Sequence, residues 1–302
     1  MRAISQRTFG GPEVLELVEK DRPEPGAGEV LVRVEAAGVN PADYKIRSGA
    51  IPIFGPPPFV LGLDVSGVVA GGAGFAVGDE VYGLPFPKAG AYAEYLTAPA
   101  ETLALKPKTI DHTAAAGLPT AALTCWQAFE LASVSAGQRV LVQAGAGGLG
   151  HLGIQLAKLR GAYVIATARA VNHDFVRGFG ADEVIDYTET DIGTLRDIDV
   201  VLENAGGEAA VRSLRTVKRG GWFLGIAGPD IGVSEEEAVA RGVRFSDFHV
   251  APSAEDLAAI ATLVDDGKLR VHVEHVLPLA EAAKAHELLE TNRTRGKIIL
   301  AG

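Results

Sequence analysis

The rhythm of hydrophobic positions changes near Pro119. From Arg2 to about Ala100, short valine-rich runs such as VLVRVEAAGV (30–39) and FVLGLDVSGVVAGG (59–72), then VYGL (81–84) and AYAEYLTA (91–98), alternate with Gly and Pro. Dense short strands between such breakers predict a compact β-barrel-like domain. Beyond Pro119, strand-like and helix-like segments take turns. RVLVQAG (139–145) leads into a glycine-rich turn and a helix to about Arg160, followed by AYVIATA (162–168), a short helix and EVIDY (183–187). DVVLENAG (199–206), a helix near Glu208 to Val217, and GWFLGIAG (221–228) continue the pattern. This alternation with short connections predicts an α/β fold, a parallel sheet covered by helices on both faces. From about Pro252 come an amphipathic helix (254–268), a strand-like LRVHVEHVLPL (269–279), a helix over Ala280–Leu289 and a closing strand (296–302). Pattern alone allows this last section to extend the sheet or to return to the first domain.

The turn after the strand Val140–Val142 reads QAGAGGLGHLGIQLAK (143–158), in which Gly145, Gly147 and Gly150 form G-x-G-x-x-G. A chain that must turn sharply, expose backbone N–H groups and admit a pyrophosphate has no room for Cβ atoms there. Leu149, Leu152, Leu156 and Leu159 follow at helical spacing, which predicts one face on the sheet and the helix N-terminus at the turn. With the strand before, the helix after and the next strand all present, the turn predicts a dinucleotide site. About twenty residues on, an NAD-binding chain places Asp or Glu against the ribose hydroxyls; this chain has Thr167, Ala168 and Arg169. Arg169 can pair with a 2′-phosphate through two charge-assisted hydrogen bonds, which predicts NADPH. The competing reading is a solvated loop arginine.

Composition narrows the function further. Across 302 residues, 47% are hydrophobic and 22% charged, which predicts well-buried cores rather than long disorder. A net charge of −10 argues against nucleic acid as a partner. The N-terminus lacks the apolar core of a secretory signal, so the expected location is the cytoplasm. The uncharged run Thr113–Phe129 contains Pro119, Thr120, Thr124 and Gln127 and falls short of a membrane span. The single cysteine, Cys125, excludes an intrachain disulfide and a zinc site built from several thiolates. His272 and His275 would face opposite sides of a strand, and His151 and His173 are expected as exposed residues at helix entries.

The stretches GVNPADYKIRSG (38–49), FVLGLDVSGVV (59–69), VGDEVYG (77–83), LPTAALTCWQAF (118–129), the glycine turn, NHDFVRGFGADEVIDYTE (172–189) and RGKIIL (295–300) together resemble the zinc-independent quinone oxidoreductase branch of the medium-chain dehydrogenase/reductase superfamily, nearly end to end. The resemblance implies a GroES-like catalytic domain from 1–118 and 252–302 with a Rossmann domain, 119–251, inserted between. Zinc-dependent relatives place a cysteine and a Gly-His-Glu where this chain has Asn40 and Gly62-Leu63-Asp64, and the four-cysteine structural zinc loop is missing. Neither Asn nor Leu offers the donor zinc requires, so metal-free chemistry is expected.

Hydride from NADPH then needs an acceptor that is already electron-poor, a quinone or a conjugated enone, with hydrogen-bond donors at its carbonyl. The resemblance puts Asn40 near the nicotinamide; Tyr44 is the second candidate donor or proton source, with packing in the cleft as the alternative. Asp43 and Asp64 are read as turn formers, with a proton relay as the other option. Phe54, Phe86, Trp126 and Phe248 are candidate walls of the acceptor cavity. Along the cofactor, the expected contacts are Gly145, Gly147, Gly148, Leu149, Gly150, Thr167, Arg169, Asn204, Ala205, Gly225, Ile226 and Ala227, and the resemblance implies Thr124 and Tyr187 as well, with Arg295 and Lys297 adding positive charge. The usual aspartate-led DTVGG reads Glu203-Asn-Ala-Gly-Gly207, and neither the family's serine nor its lysine for the 2′-phosphate is present. Rival readings are reduction of an alkenal or enoyl double bond, and a non-catalytic NADPH-binding sensor or structural protein. Relatives often pair through an edge strand of the Rossmann sheet, which predicts a homodimer.

Overall fold

A computed structural model describes every residue except 89, 227, 229 and 230. The chain divides into two compact units, Met1–Leu123 with Ala251–Gly302, and Thr124–Val250. The first crossing lies inside the helix Pro119–Leu131 rather than ahead of it. Among the described residues no helix is long and apolar enough to cross a membrane.

The first unit is built on Glu29–Val39, an eleven-residue strand that pairs antiparallel with Asp64–Gly72, Tyr95–Pro99 and the closing strand Lys297–Ala301. Glu80–Gly83 and Leu103–Leu105 extend this sheet on one side and Val273–Pro278 on the other. The last section of the chain thus returns to the first unit, its final strand placing Ile298 opposite Val39. A smaller sheet joins Glu16–Glu19, Arg2–Gln6 and Phe59–Val60. Gly38 is required where two of these strands meet, because a Cβ there would overlap the Ala116 carbonyl and lie 2.9 Å from Asp64 Oδ2.

In the second unit, among the described residues, six parallel strands run in the order Glu183–Ile185, Tyr163–Thr167, Arg139–Val142, Ile198–Glu203, Val217–Gly225, Arg244–Asp247. Val140, Leu141 and Val142 are fully buried, as central strands covered on both faces must be. The reversal of strand order falls between Arg139–Val142 and Ile198–Glu203, where such sheets open a crevice at their carboxyl ends. The helix Gly150–Leu159 packs there with Leu152, Ile154 and Leu156 buried, whereas Leu159, expected on the same face, is 44% exposed at the helix end. Gly153 lets the helix approach: a Cβ would stand 2.8 Å from Leu202 and 3.3 Å from Cys125 Sγ. The helix expected to Val217 stops at Leu214, and Val217 opens the next strand.

Candidate functional site

In the second unit the glycine turn forms as a crowded, backbone-only cradle. Ala144 takes φ 47°, and its carbonyl accepts the N–H of Gly147 at 2.9 Å. A Cβ on Gly150 would overlap that carbonyl, and one on Gly145 would lie 3.0 Å from the Ala166 methyl. Thr167 supports the turn from behind. Its hydroxyl donates to Gln143 Oε1 at 2.7 Å and accepts the Ala144 N–H at 3.0 Å, while its carbonyl takes the Gly145 N–H at 2.8 Å. Thr167 is buried, so it shapes the cradle instead of lining it. Gly148 and Leu149 are half-buried and lead directly into the helix, whose first N–H groups have no intrahelical acceptor and attract an anion. Thr124 is buried one residue before Cys125, whose thiol meets the Leu149 carbonyl at 3.5 Å and is held protonated by burial.

His151 was expected at the surface and is instead fully buried. Its Nδ1 lies 2.9 Å from the Gly147 carbonyl and its ring meets Phe179 edge-on at 5.2 Å, so it braces the turn from within the helix.

Adjacent parallel strands bring Arg169 and Tyr187 to one edge of the crevice, Thr167 facing Ile185 in the register. The Asp186 carboxylate draws the two loops together, accepting the Ala170 N–H at 2.7 Å and, from Thr188, the N–H at 2.9 Å and the hydroxyl at 2.6 Å. These bonds, those of Thr188 foremost, hold its pKa below the usual carboxylate range. Among the described residues no side-chain hydrogen bond or ion pair engages the half-buried Arg169 guanidinium. Tyr187 is 47% exposed beside it.

At the carboxyl ends of the neighbouring strands, Ile226 donates to the Glu203 carbonyl at 2.7 Å and Phe248 to the Gly225 carbonyl at 2.8 Å, which collects Asn204, Ala205, Gly225, Ile226 and Phe248 in one place. Glu203 organises the loop: Oε1 accepts the N–H groups of Ala205 (2.9 Å) and Gly206 (3.0 Å), and Oε2 the Ser213 hydroxyl at 2.5 Å. Burial pushes this carboxyl's pKa up against those three donors. Asn204 Oδ1 is buried with no partner among the described residues, an acceptor left for a bound molecule. Ala227 lies outside the described residues. Overlapping Cβ positions at the turn and an unengaged guanidinium fit the phosphates of a dinucleotide, and the orphaned Asn204 acceptor fits a donor group elsewhere on such a ligand.

The first unit holds a buried polar network that sequence reasoning saw only in part. Asn40 follows the strand Glu29–Val39 and caps the helix Pro41–Ser48; Asp43 Oδ2 accepts the Asn40 backbone N–H at 2.8 Å. The Asn40 amide donates to Asp64 Oδ2 at 2.9 Å, and its Oδ1 accepts from Lys297 Nζ at 2.5 Å. Asp64 Oδ1 takes both the N–H (2.8 Å) and the hydroxyl (2.5 Å) of Thr120. Asp43 and Asp64 thus cap and join elements, and Lys297 spends its charge inside the unit rather than on a nucleotide. Arg295 likewise pairs with Glu274, at 2.9 Å.

The network continues through residues no motif flagged. Tyr92 donates to Asp43 Oδ2 at 3.2 Å and lies 3.3 Å from His286 Nε2, whose Nδ1 is 3.0 Å from Arg47. Burial, and then the Arg47 guanidinium, push His286 down to about 3. Burial also raises Asp43 to about 7, against the pull of the Asn40 N–H, with the nearby Asp64 carboxylate adding to the rise.

Tyr44 sits one residue beyond Asp43 and is half-buried. Phe54 and Phe86 come together with ring centroids 6.4 Å apart, and Phe59 joins Phe54 at 5.8 Å. In the second unit the Trp126 ring lies under the Arg160 guanidinium, 4.8 Å away. Among the described residues no three His, Cys, Asp or Glu converge to hold a metal.

Comparison with known proteins gives concordant matches. Residues 26–108 match the alcohol dehydrogenase GroES-like domain and residues 179–300 the family described as zinc-binding dehydrogenase. A chloroplastic NADPH-dependent alkenal/one oxidoreductase of Arabidopsis thaliana is 37% identical over 319 residues, covering 99% of this chain and 79% of that protein. The quinone oxidoreductase of Coxiella burnetii has a TM-score of 0.94 at 37% identity, covering 100% of this chain and 99% of that one. That of Escherichia coli, solved with NADPH, has a TM-score of 0.92 at 28% identity with both chains covered completely.

Proposed function

This chain belongs to the quinone oxidoreductase-like branch of the medium-chain dehydrogenase/reductase superfamily, and on that premise we propose that it is an NADPH-dependent oxidoreductase that delivers hydride to a quinone or related electron-poor carbonyl compound without a catalytic metal. The observation that carries the reading is the glycine cradle with the unengaged Arg169 at its edge. Bound there, NADPH supplies the hydride. The chain's own part is to hold the pyrophosphate on the N–H groups of Gly148, Leu149 and Gly150, and the 2′-phosphate on Arg169 beside Tyr187. Asn204 Oδ1, Ala205, Gly225 and Ile226 line the remainder of the cofactor site.

Absence of a catalytic metal is supported by the donor set itself. Asn40 and Asp64 have their oxygens occupied by Lys297 and Thr120, and Leu63 brings no donor between them. Negative charge arising on the acceptor oxygen is then met by hydrogen-bond donors, for which Asn40 and Tyr44 are the proposed residues, with Phe54 and Phe86 as apolar walls. Only an acceptor with a low-lying empty orbital reacts under these conditions.

A second reading, reduction of a conjugated carbon–carbon double bond, is favoured by relatives named alkenal/one oxidoreductase and 2-methylene-furan-3-one reductase, the latter 34% identical over 319 residues. Product analysis with an alkenal and a quinone separates the two: a saturated aldehyde marks the second reading and a hydroquinone the first. For assembly, the edge strand Arg244–Asp247 leaves one side of its ladder unpaired among the described residues, which supports a homodimer formed by pairing two such edges. Light scattering should then give twice the 31.4 kDa chain mass.

A further inference from the structure

Lys297 is a buried ammonium with an unusual set of partners. Its Nζ lies 2.5 Å from Asn40 Oδ1 and 3.4 Å from Asp64 Oδ2, while Asn40 Nδ2 lies 2.9 Å from the same Asp64 oxygen. The three side chains close a triangle, and all three are buried. An amide placed between a cation and an anion has one favourable orientation: oxygen toward the ammonium, nitrogen toward the carboxylate. The reverse orientation would put NH₂ against the ammonium and oxygen against the carboxylate. Thr120 fixes the far oxygen of Asp64, so the carboxylate cannot rotate to relieve it.

We propose that Lys297 is a positioning residue for the reaction: its ammonium fixes the orientation of the Asn40 side chain and polarises the amide so that its N–H groups are stronger donors. This rests on the reading that Asn40 acts at the acceptor. The positive charge whose need a metal would meet is thereby retained, but acts through an amide and at one remove. It also reassigns Lys297 from the nucleotide, where its sequence position suggested it. A hydrogen bond accepted by an amide oxygen strengthens what the amide nitrogen donates, and a charged donor does so most in a low-dielectric interior. The ammonium and Asn40 therefore function as one unit, which makes their effects on turnover non-additive.

The test is a double-mutant cycle on the full-length protein with N40A, K297M and the double variant, measuring kcat with 9,10-phenanthrenequinone and trans-2-nonenal and the NADPH dissociation constant by fluorescence. K297M should lower kcat at least tenfold with NADPH affinity changed less than twofold, and adding it to N40A should lower kcat less than twofold further. Should K297M fail to fold, K297Q, which keeps a hydrogen bond but not the charge, is carried through the same cycle and should lose at least threefold in kcat with the same non-additivity. Unchanged kcat in the lysine variant, multiplicative effects, or a loss confined to NADPH affinity would overturn the inference while leaving the role of Asn40 intact. A fully active N40A would overturn both.

Discussion

Thr120 donates twice to one oxygen of Asp64, through its backbone N–H at 2.8 Å and its hydroxyl at 2.5 Å. The opposite oxygen faces Asn40 and Lys297, so one buried carboxylate ties together three stretches of chain. Asp64→Ala should cost about 3–5 kcal/mol by leaving the Lys297 ammonium buried without an anion. Thr120→Val, which removes one hydroxyl bond, should cost about 1–2 kcal/mol. Chemical denaturation of both variants checks the order; equal stabilities for Asp64→Ala and the parent would refute the structural role.

Gly150→Ala tests the cradle. The added methyl overlaps the Ala144 carbonyl, and moving either backbone spoils the turn. Overpacking of this kind costs about 1–3 kcal/mol, and NADPH affinity should fall about tenfold or more by fluorescence titration. Retained affinity would mean that the turn does not hold the pyrophosphate.

Arg169→Ala should weaken NADPH binding by about 10–100-fold, since a hydrogen bond to a charged group contributes about 1.5–3 kcal/mol, and leave NADH nearly unchanged. The ratio of the two affinities is the measurement. Equal losses for both coenzymes would place Arg169 away from the 2′-phosphate.

Asp43 gives a pH dependence with a defined sign. Its carboxyl titrates near 3.8 when unfolded and at about 7 when folded, because burial opposes its charge. Between those values the folded state binds the extra proton, so stability falls as pH rises through the window and levels off above about 7. Asp43→Asn carries no such charge. The stability of the parent relative to this variant should therefore decline from pH 4 to 7, as followed by urea unfolding; a rising difference would show that the Asn40 and Tyr92 donors outweigh burial.

Features with local or periodic signatures were the legible ones. The buried run Val140–Val142, the glycine spacing and the helix after it are set by near-neighbour sterics, and the parallel sheet follows from their alternation. Side chains that meet across long stretches of chain left no such trace: Lys297 reaches Asn40 over 257 positions, and Tyr92 reaches His286 over 194. Residue type also misled where packing decided the outcome. His151 reads as a polar helix entry, yet the ring of Phe179 and the Gly147 carbonyl give it an interior position. A positively charged residue near the C-terminus suggested a nucleotide contact, and two oxygens within the same unit claimed it instead.

The central claim is tested most directly by following NADPH oxidation with 9,10-phenanthrenequinone or trans-2-nonenal after exhaustive dialysis against a chelator, with and without added zinc. Full turnover in the dialysed protein, unchanged by zinc, is the predicted result. Absence of turnover with every electron-poor acceptor, or activity that returns only when zinc is restored, would contradict it.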